Sequence, residues 1–193
     1  MKSDIYNKEI DDWNVSWESA EDYRLWCKQE HSSNDETALV VMFNPGSLSG
    51  SGDNLRKDTT LRILREIFVN TGYNPYIINL YTYATAKPWM LFDSWEKKDC
   101  PEYSFDELKP SDFSAVMYAY GAYELEKGYE QDIKDRINAI KAHFKSIPVI
   151  DLPKAKTDTP KHPMRIQIEV LKEVFNQKIM QHYKANKSKQ KDA

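Results

Sequence analysis

The run Val40-Val41-Met42-Phe43 is apolar and uncharged, and it stops abruptly at Asn44-Pro45-Gly46-Ser47. A short apolar run closed by turn formers reads as a strand buried on both faces. Proline denies the chain a further strand hydrogen bond, and glycine lets it turn away. In α/β proteins ligands bind beyond the carboxyl ends of such strands. Residues 38–43 are therefore expected to form a central strand, with the amide of Asn44 at the lip of a cleft.

The same pattern recurs down the chain. Residues 75–80 form a second short apolar run that again terminates in an asparagine, Asn79; 114–120 is a third, ending at Gly121; 147–152 is a fourth. Between them, helical periodicity runs from Thr59 or Thr60 to Asn70 with Leu61, Leu64, Ile67 and Phe68 inward, over 122–145 with a break near Gly128, and over 166–183. Strands alternating with helices predict an α/β fold, a three-layer sandwich around a central, mainly parallel four-stranded sheet. Residues 81–110 show no clear periodicity. Residues 1–36 are acidic and place Trp13, Trp17 and, less regularly, Trp26 at helical spacing, which predicts an amphipathic helical extension packed on the body. The division expected is thus 1–36 as this extension, 37–183 as the α/β domain, and 184–193, with four lysines and one aspartate, as a disordered tail.

At 193 residues the chain has room for one substantial core. It contains no apolar stretch of the roughly 18 to 20 residues that a membrane span needs, and residues 1–30 lack the pattern of a secretion signal, so a cytoplasmic monomer is expected. Cys27 and Cys100 have no close partner of the CxxC kind and read as free thiols. The histidines at 31, 143, 162 and 182 are too scattered to predict a metal site, and no phosphate-cradling nucleotide motif is present, so neither metal nor cofactor is implied. The net charge of −3 hides an asymmetry: residues 1–38 carry −6, leaving +3 on the remainder. Basic clusters at 54–65 and 153–172 are candidate phosphate-facing surfaces, or equally solvated faces.

Four segments occur in a telling order: Phe43-Asn44-Pro45-Gly46-Ser47, then Tyr76-Ile77-Ile78-Asn79-Leu80, then the run from Val116 through Gly121 to Gly128, then Lys161-His162-Pro163. Taken together they resemble the uracil-DNA glycosylase superfamily, with its Asn-Pro-Gly turn, its apolar strand ending in Asn, its strand ending in Trp-Gly and its His-Pro loop. The first segment is most similar to the mismatch-specific branch. The chain also resembles an uncharacterised bacterial and phage family with Asn-Pro-Ser, Asp-x-Thr, Asn-Leu, Trp-Gly and His-Pro-Leu motifs, whose second element Asp58-Thr59-Thr60 fits. The resemblance covers about 38–165.

What the resemblance implies is a monofunctional DNA glycosylase, acting without a cofactor on a pyrimidine flipped from duplex or single-stranded DNA. The base would be uracil, a mismatched base, or a modified cytosine of phage DNA, the last making it an antiviral enzyme. Cleavage of an N-glycosidic bond passes through a cationic sugar while negative charge leaves on the base. The resemblance gives Asn44 the orienting of water and His162 a hydrogen bond to the base oxyanion. Asn79 is the candidate base reader, because a carboxamide offers both a donor and an acceptor. Asp58 either assists the water and the cationic sugar or pairs with Arg62 one helical turn on. Phe43, Tyr81 and Tyr83 are candidates for stacking on the base or for the core. Pro45, Gly46 and Ser47 would form the substrate loop, and Arg165 would grip phosphate where the family has a backbone turn. Arg56, Lys57 and Lys161 are the DNA-contacting candidates. The same cleft would also suit a non-catalytic reader of nucleic acid, or a hydrolase of free nucleosides or nucleotides.

Overall fold

The alternation in Trp13-Asn14-Val15-Ser16-Trp17-Glu18-Ser19 buries every odd residue, the signature of a strand with one covered face. In the computed structural model, which describes residues 3–20, 22–46, 52–87, 90–92, 105–121, 128–166 and 168–192, that segment is the second strand of an antiparallel meander. The strands are β1 (Asp4–Ile10), β2 (Trp13–Ala20), β3 (Tyr23–His31), β4 (Glu36–Met42), β5 (Tyr73–Asn79) and β6 (Ala115–Tyr118). They form one six-stranded sheet in the order β1-β2-β3-β5-β4-β6. The ladders β1–β2, β2–β3 and β3–β5 are antiparallel; β4–β5 and β4–β6 are parallel.

This corrects the expected fold. The sheet is mixed, with more antiparallel than parallel ladders, and not a mainly parallel four-stranded one. The helical extension expected over 1–36 is three strands. Spacing of four between Trp13 and Trp17 satisfies a helix and a strand alike, because four is even as well as close to one helical turn. The turn decides it: Asp11 and Asp12 both take positive φ, 49° and 66°, the two-residue hairpin geometry that matches strand twist. Tyr6 then stacks on Trp17 across the ladder, with ring centres 5.3 Å apart. The fourth expected strand, 147–152, is reduced to an isolated parallel bridge between Val149 and Val116.

Among the described residues four helices accompany the sheet: α1 (Gly52–Lys57), α2 (Thr59–Phe68), α3 (Glu130–His143) and α4 (Ile168–Lys191). The sheet's two faces build separate cores. Val40, Met42, Tyr73 and Ile77 meet Leu61, Leu64 and Phe68 of α2 and Phe175 and Ile179 of α4. Leu39, Val41, Phe43 and Ile78 meet Ile133, Ile137 and Ile140 of α3. The tail expected to be disordered continues α4 to Lys191. Asn186 donates to the Ser114 carbonyl at 2.9 Å, and Lys187 pairs with Asp35 at 3.4 Å and with Glu36, so these two side chains tie the end of the helix to the body. Among the described residues no helix is long and apolar enough to cross a membrane.

Candidate functional site

The parallel strands β4 and β5 end side by side. Met42 is the register partner of Asn79, and the pairing continues past both strands through Leu80 N–H to the Met42 carbonyl (2.9 Å) and Tyr81 N–H to the Phe43 carbonyl (3.0 Å). Asn44 therefore sits beside the segment that leaves Asn79. The antiparallel neighbour β3 begins at this same edge, because Arg24 N–H donates to the Thr82 carbonyl at 3.0 Å.

Asn44 is half-buried and its orientation is determined. Its Nδ2 donates to the carbonyls of Pro45 and Thr85, each at 2.8 Å, and reaches that of Tyr83 at 3.5 Å. Thr85 N–H returns a bond of 3.0 Å to the Pro45 carbonyl. An amide whose nitrogen is committed to carbonyls turns its oxygen the other way, and among the described residues no donor meets that oxygen. Asn79 is 5% exposed, and its Nδ2 is buried without a hydrogen-bond partner. A donor left so costs about 1–3 kcal/mol.

Asp58 is buried where α2 begins. Its Oδ1 caps the helix by accepting the Leu61 N–H at 3.1 Å, and its Oδ2 faces the Arg24 guanidinium at 3.5 Å. The pairing with Arg62 does not form; Arg62 binds Glu66 instead, at 2.9 Å. Arg24, 3% exposed and with an unpartnered Nε, is the member of this cluster that sequence reasoning missed. It lies in the segment read as a helix, and only the alternation of β2 and β3 would have placed it at this edge.

His162 precedes the 3-10 turn Pro163–Arg165, which packs against α2. Its Nδ1 accepts the Met164 N–H at 3.2 Å, so the neutral ring carries its proton on Nε2. Burial, reinforced by the Arg165 charge and opposed by that of Asp58, pushes its pKa down to about 4. The imidazole is thus a neutral donor at physiological pH, within the electrostatic reach of Asp58.

The remaining candidates separate. Phe43 and Tyr81 are fully buried on the α3 face, opposite Asn79, with ring centres 5.4 Å apart. Tyr81 donates to Asp132 and lies under the Arg136 guanidinium, 4.6 Å from its ring centre. These two rings fill a core. Tyr83 is half-buried and bridges to Tyr23. Pro45 is buried, and among the described residues nothing stands within 4 Å of where a side chain at Gly46 would begin. Ser47 lies outside the described residues. Arg56 is exposed and pairs with Asp11 at 3.3 Å; Lys57 and Arg165 are exposed, and Lys161 is half-buried. Cys27 is a buried free thiol whose pKa burial raises to about 12, which keeps it inert. Among the described residues no group of three or more His, Cys, Asp or Glu side chains converges as a metal site would.

Asn44 and Asn79 at adjoining strand ends, and a buried Arg24–Asp58 pair within electrostatic reach of a neutral His162, define the polar groups of the candidate site on a mixed-sheet scaffold. Residues 23–164 match a family described as a protein of unknown function, DUF1643, and the chain belongs to that family. The match begins at β3 and ends just after His162, so it spans the candidate site. No curated protein and no solved structure matches the chain.

Proposed function

We propose that this protein hydrolyses the N-glycosidic bond of a pyrimidine flipped out of DNA, leaving an abasic site. The observation that carries the reading is the fixed orientation of Asn44, whose nitrogen is held by the Pro45 and Thr85 carbonyls and whose oxygen is left as an acceptor at the strand end. An amide oxygen is too weak a base to take a proton from water, but it holds a water molecule by accepting one of its hydrogens. As the bond from the sugar carbon to the base nitrogen breaks, the water oxygen bonds to that carbon, the electron pair leaves with the base, and the proton that the water sheds passes through solvent to the base anion, so that sugar hydroxyl and neutral base are the products. His162 stabilises the resulting anion by donating from Nε2, and its neutrality suits this task, since the strength of such a site lies in donors fixed in advance. The unpartnered Nδ2 of Asn79 meets an acceptor on the base edge, which offsets the cost of burying that donor without a protein partner. Asp58, with one oxygen on the α2 cap and the other facing Arg24, is assigned to holding the site's shape.

Arg56, Lys57, Lys161 and Arg165 supply phosphate contacts, and a modified cytosine of phage DNA is the substrate to test first, alongside uracil. The test is incubation of the protein with each DNA followed by alkali, with the released base identified by mass spectrometry. The expected result is strand breakage with one DNA and its loss in Asn44→Ala. Absence of breaks and of free base in both DNAs overturns the reading. Activity on free nucleosides that is indifferent to salt overturns the DNA part of it, because duplex binding weakens as salt rises.

A further inference from the structure

Beyond β6, the outer strand of the sheet, the end of α3 and the 147–160 segment enclose a cleft of about 470 Å³. That volume lies within the range of small-molecule sites. The cleft is apart from Asn44 and Asn79, and none of the residues discussed for glycosidic cleavage lines it.

Its lining has three parts of different chemistry. The first is flat and apolar: the ring of Tyr118, and Val149, which is 43% exposed. The second is a neutral hydroxyl. Tyr118 is half-buried, its phenol has no hydrogen-bond partner among the described residues, and burial raises its pKa to about 12, so it stays a donor. The third is positive. Lys141 is held over two aromatic rings, 5.5 Å from the centre of Tyr118 and 5.9 Å from that of Tyr120, and among the described residues neither it nor Lys145 pairs with a carboxylate. Lys154 and Asp158 satisfy each other at 2.8 Å, which leaves Asp151 as the one other carboxylate in the lining.

A ligand complementary to this lining has a planar, partly apolar body and an anionic end. We propose that the cleft binds one nucleotide unit, its base against Tyr118 and Val149 and its phosphate between Lys141 and Lys145. The unit is either a free nucleotide or one residue of a nucleic-acid strand. The proposal does not rest on the glycosidic reading. It does bear on it, because the segment that walls the cleft is a tied loop, with Ala155 N–H on the Thr159 carbonyl at 2.7 Å and Lys161 N–H on the Pro153 carbonyl at 3.0 Å, and it runs directly into His162.

Calorimetric titration of the full chain with dCMP, AMP, deoxycytidine, inorganic phosphate and a single-stranded oligonucleotide tests this. At least one monophosphate is expected to bind, with the nucleoside and inorganic phosphate each at least about tenfold weaker. The double variant Lys141→Glu/Lys145→Glu, both exposed positions, is expected to lose at least about tenfold in affinity while keeping a cooperative melt, lowered only by the loss of the Lys141 contact with the two rings. Oligonucleotide that displaces the mononucleotide assigns the site to a strand; failure to displace it assigns the site to free nucleotide. The proposal is overturned if neither monophosphate binds, if inorganic phosphate binds as tightly as the nucleotide, or if the double charge reversal leaves affinity unchanged. Tyr118→Phe removes only the hydroxyl and supplies a second variant that leaves packing intact; unchanged affinity there overturns the phenol's part.

Discussion

The Arg24 guanidinium lies 3.5 Å from the Asp58 carboxylate with both residues nearly inaccessible to solvent, joining the start of β3 to the start of α2. A buried ion pair adds little net stability, but removing one partner strands the other charge at a cost of about 3–5 kcal/mol. Asp58→Ala also uncaps α2, at a cost of about 1 kcal/mol. Denaturant unfolding should place Asp58→Ala among the most destabilised single variants. The double variant Arg24→Met/Asp58→Asn should lose less than the sum of its single changes, since it leaves no lone charge. Strict additivity would mean that the two side chains do not interact.

Asn44 has a structural share as well as a proposed chemical one, and two substitutions separate them. Alanine removes the donations to the Pro45 and Thr85 carbonyls and should cost about 1–3 kcal/mol. Aspartate keeps the shape but sets a carboxylate against those carbonyls, so Asn44→Asp should be less stable than Asn44→Ala by thermal melting. Equal melting temperatures would argue that the amide nitrogen is not oriented as described.

Asn79 calls for the opposite expectation. Its Nδ2 already lacks a partner, so an apolar replacement of similar shape forfeits no bond there and relieves a desolvated donor. Asn79→Leu should melt at or above the parent's temperature and yet release no base. A large loss of stability would show that this nitrogen has a partner in solution.

How far the sequence carried the fold depends on what each segment's pattern could distinguish. Three apolar runs predicted β4, β5 and β6 nearly in place, because a strand buried on both faces has no alternation to misread. The helix α2 was equally plain, with Leu61, Leu64, Ile67 and Phe68 all buried as expected, although its cap is Asp58 and not a threonine. The meander was lost because Trp13 and Trp17 fit both periods and because Asp-Asp is a less familiar hairpin turn than Asn-Gly. With it went Arg24, and with Arg24 the reason Asp58 is where it is. Asn44, Asn79 and His162 were visible as strand-end and His-Pro residues; that Phe43 and Tyr81 point to the other face could be read only once the register was known.

His162 gives stability a pH dependence whose sign follows from its environment. Its pKa falls from the ordinary 6.5 to about 4 on folding, chiefly by burial. Between those values the unfolded chain binds more protons than the folded one, so acid favours unfolding there. The residue's contribution is complete above the unfolded pKa and is lost as pH falls toward the folded one. Stability measured by denaturant should therefore rise with pH across this window, and His162→Asn should flatten that part of the slope. An unchanged slope would place the imidazole in solvent and remove it as a neutral donor.

The last prediction concerns what holds α4 against the sheet. Gly72 has φ of +93°, a conformation that side-chain-bearing residues rarely adopt, and a methyl group there would press into the ring of Tyr183. Around it the chain is densely tied: Gly72 N–H donates to Asn34 Oδ1 at 3.0 Å, and its carbonyl accepts from Asp35 at 3.2 Å and Glu36 at 3.0 Å. Tyr183 in turn donates its hydroxyl to Asp35 at 2.7 Å, so the end of α4 is fastened to the entry of β4. Gly72→Ala combines backbone strain of about 1–3 kcal/mol with this overlap. It should cost more than Tyr183→Ala, and adding Tyr183→Ala to it should restore part of the loss, because the second change removes the ring that the methyl group meets. Thermal melting of the three variants measures this coupling. A tolerated Gly72→Ala, or a double variant at the plain sum of the two losses, would detach Tyr183 from Gly72 and with it the ordered tail from the sheet.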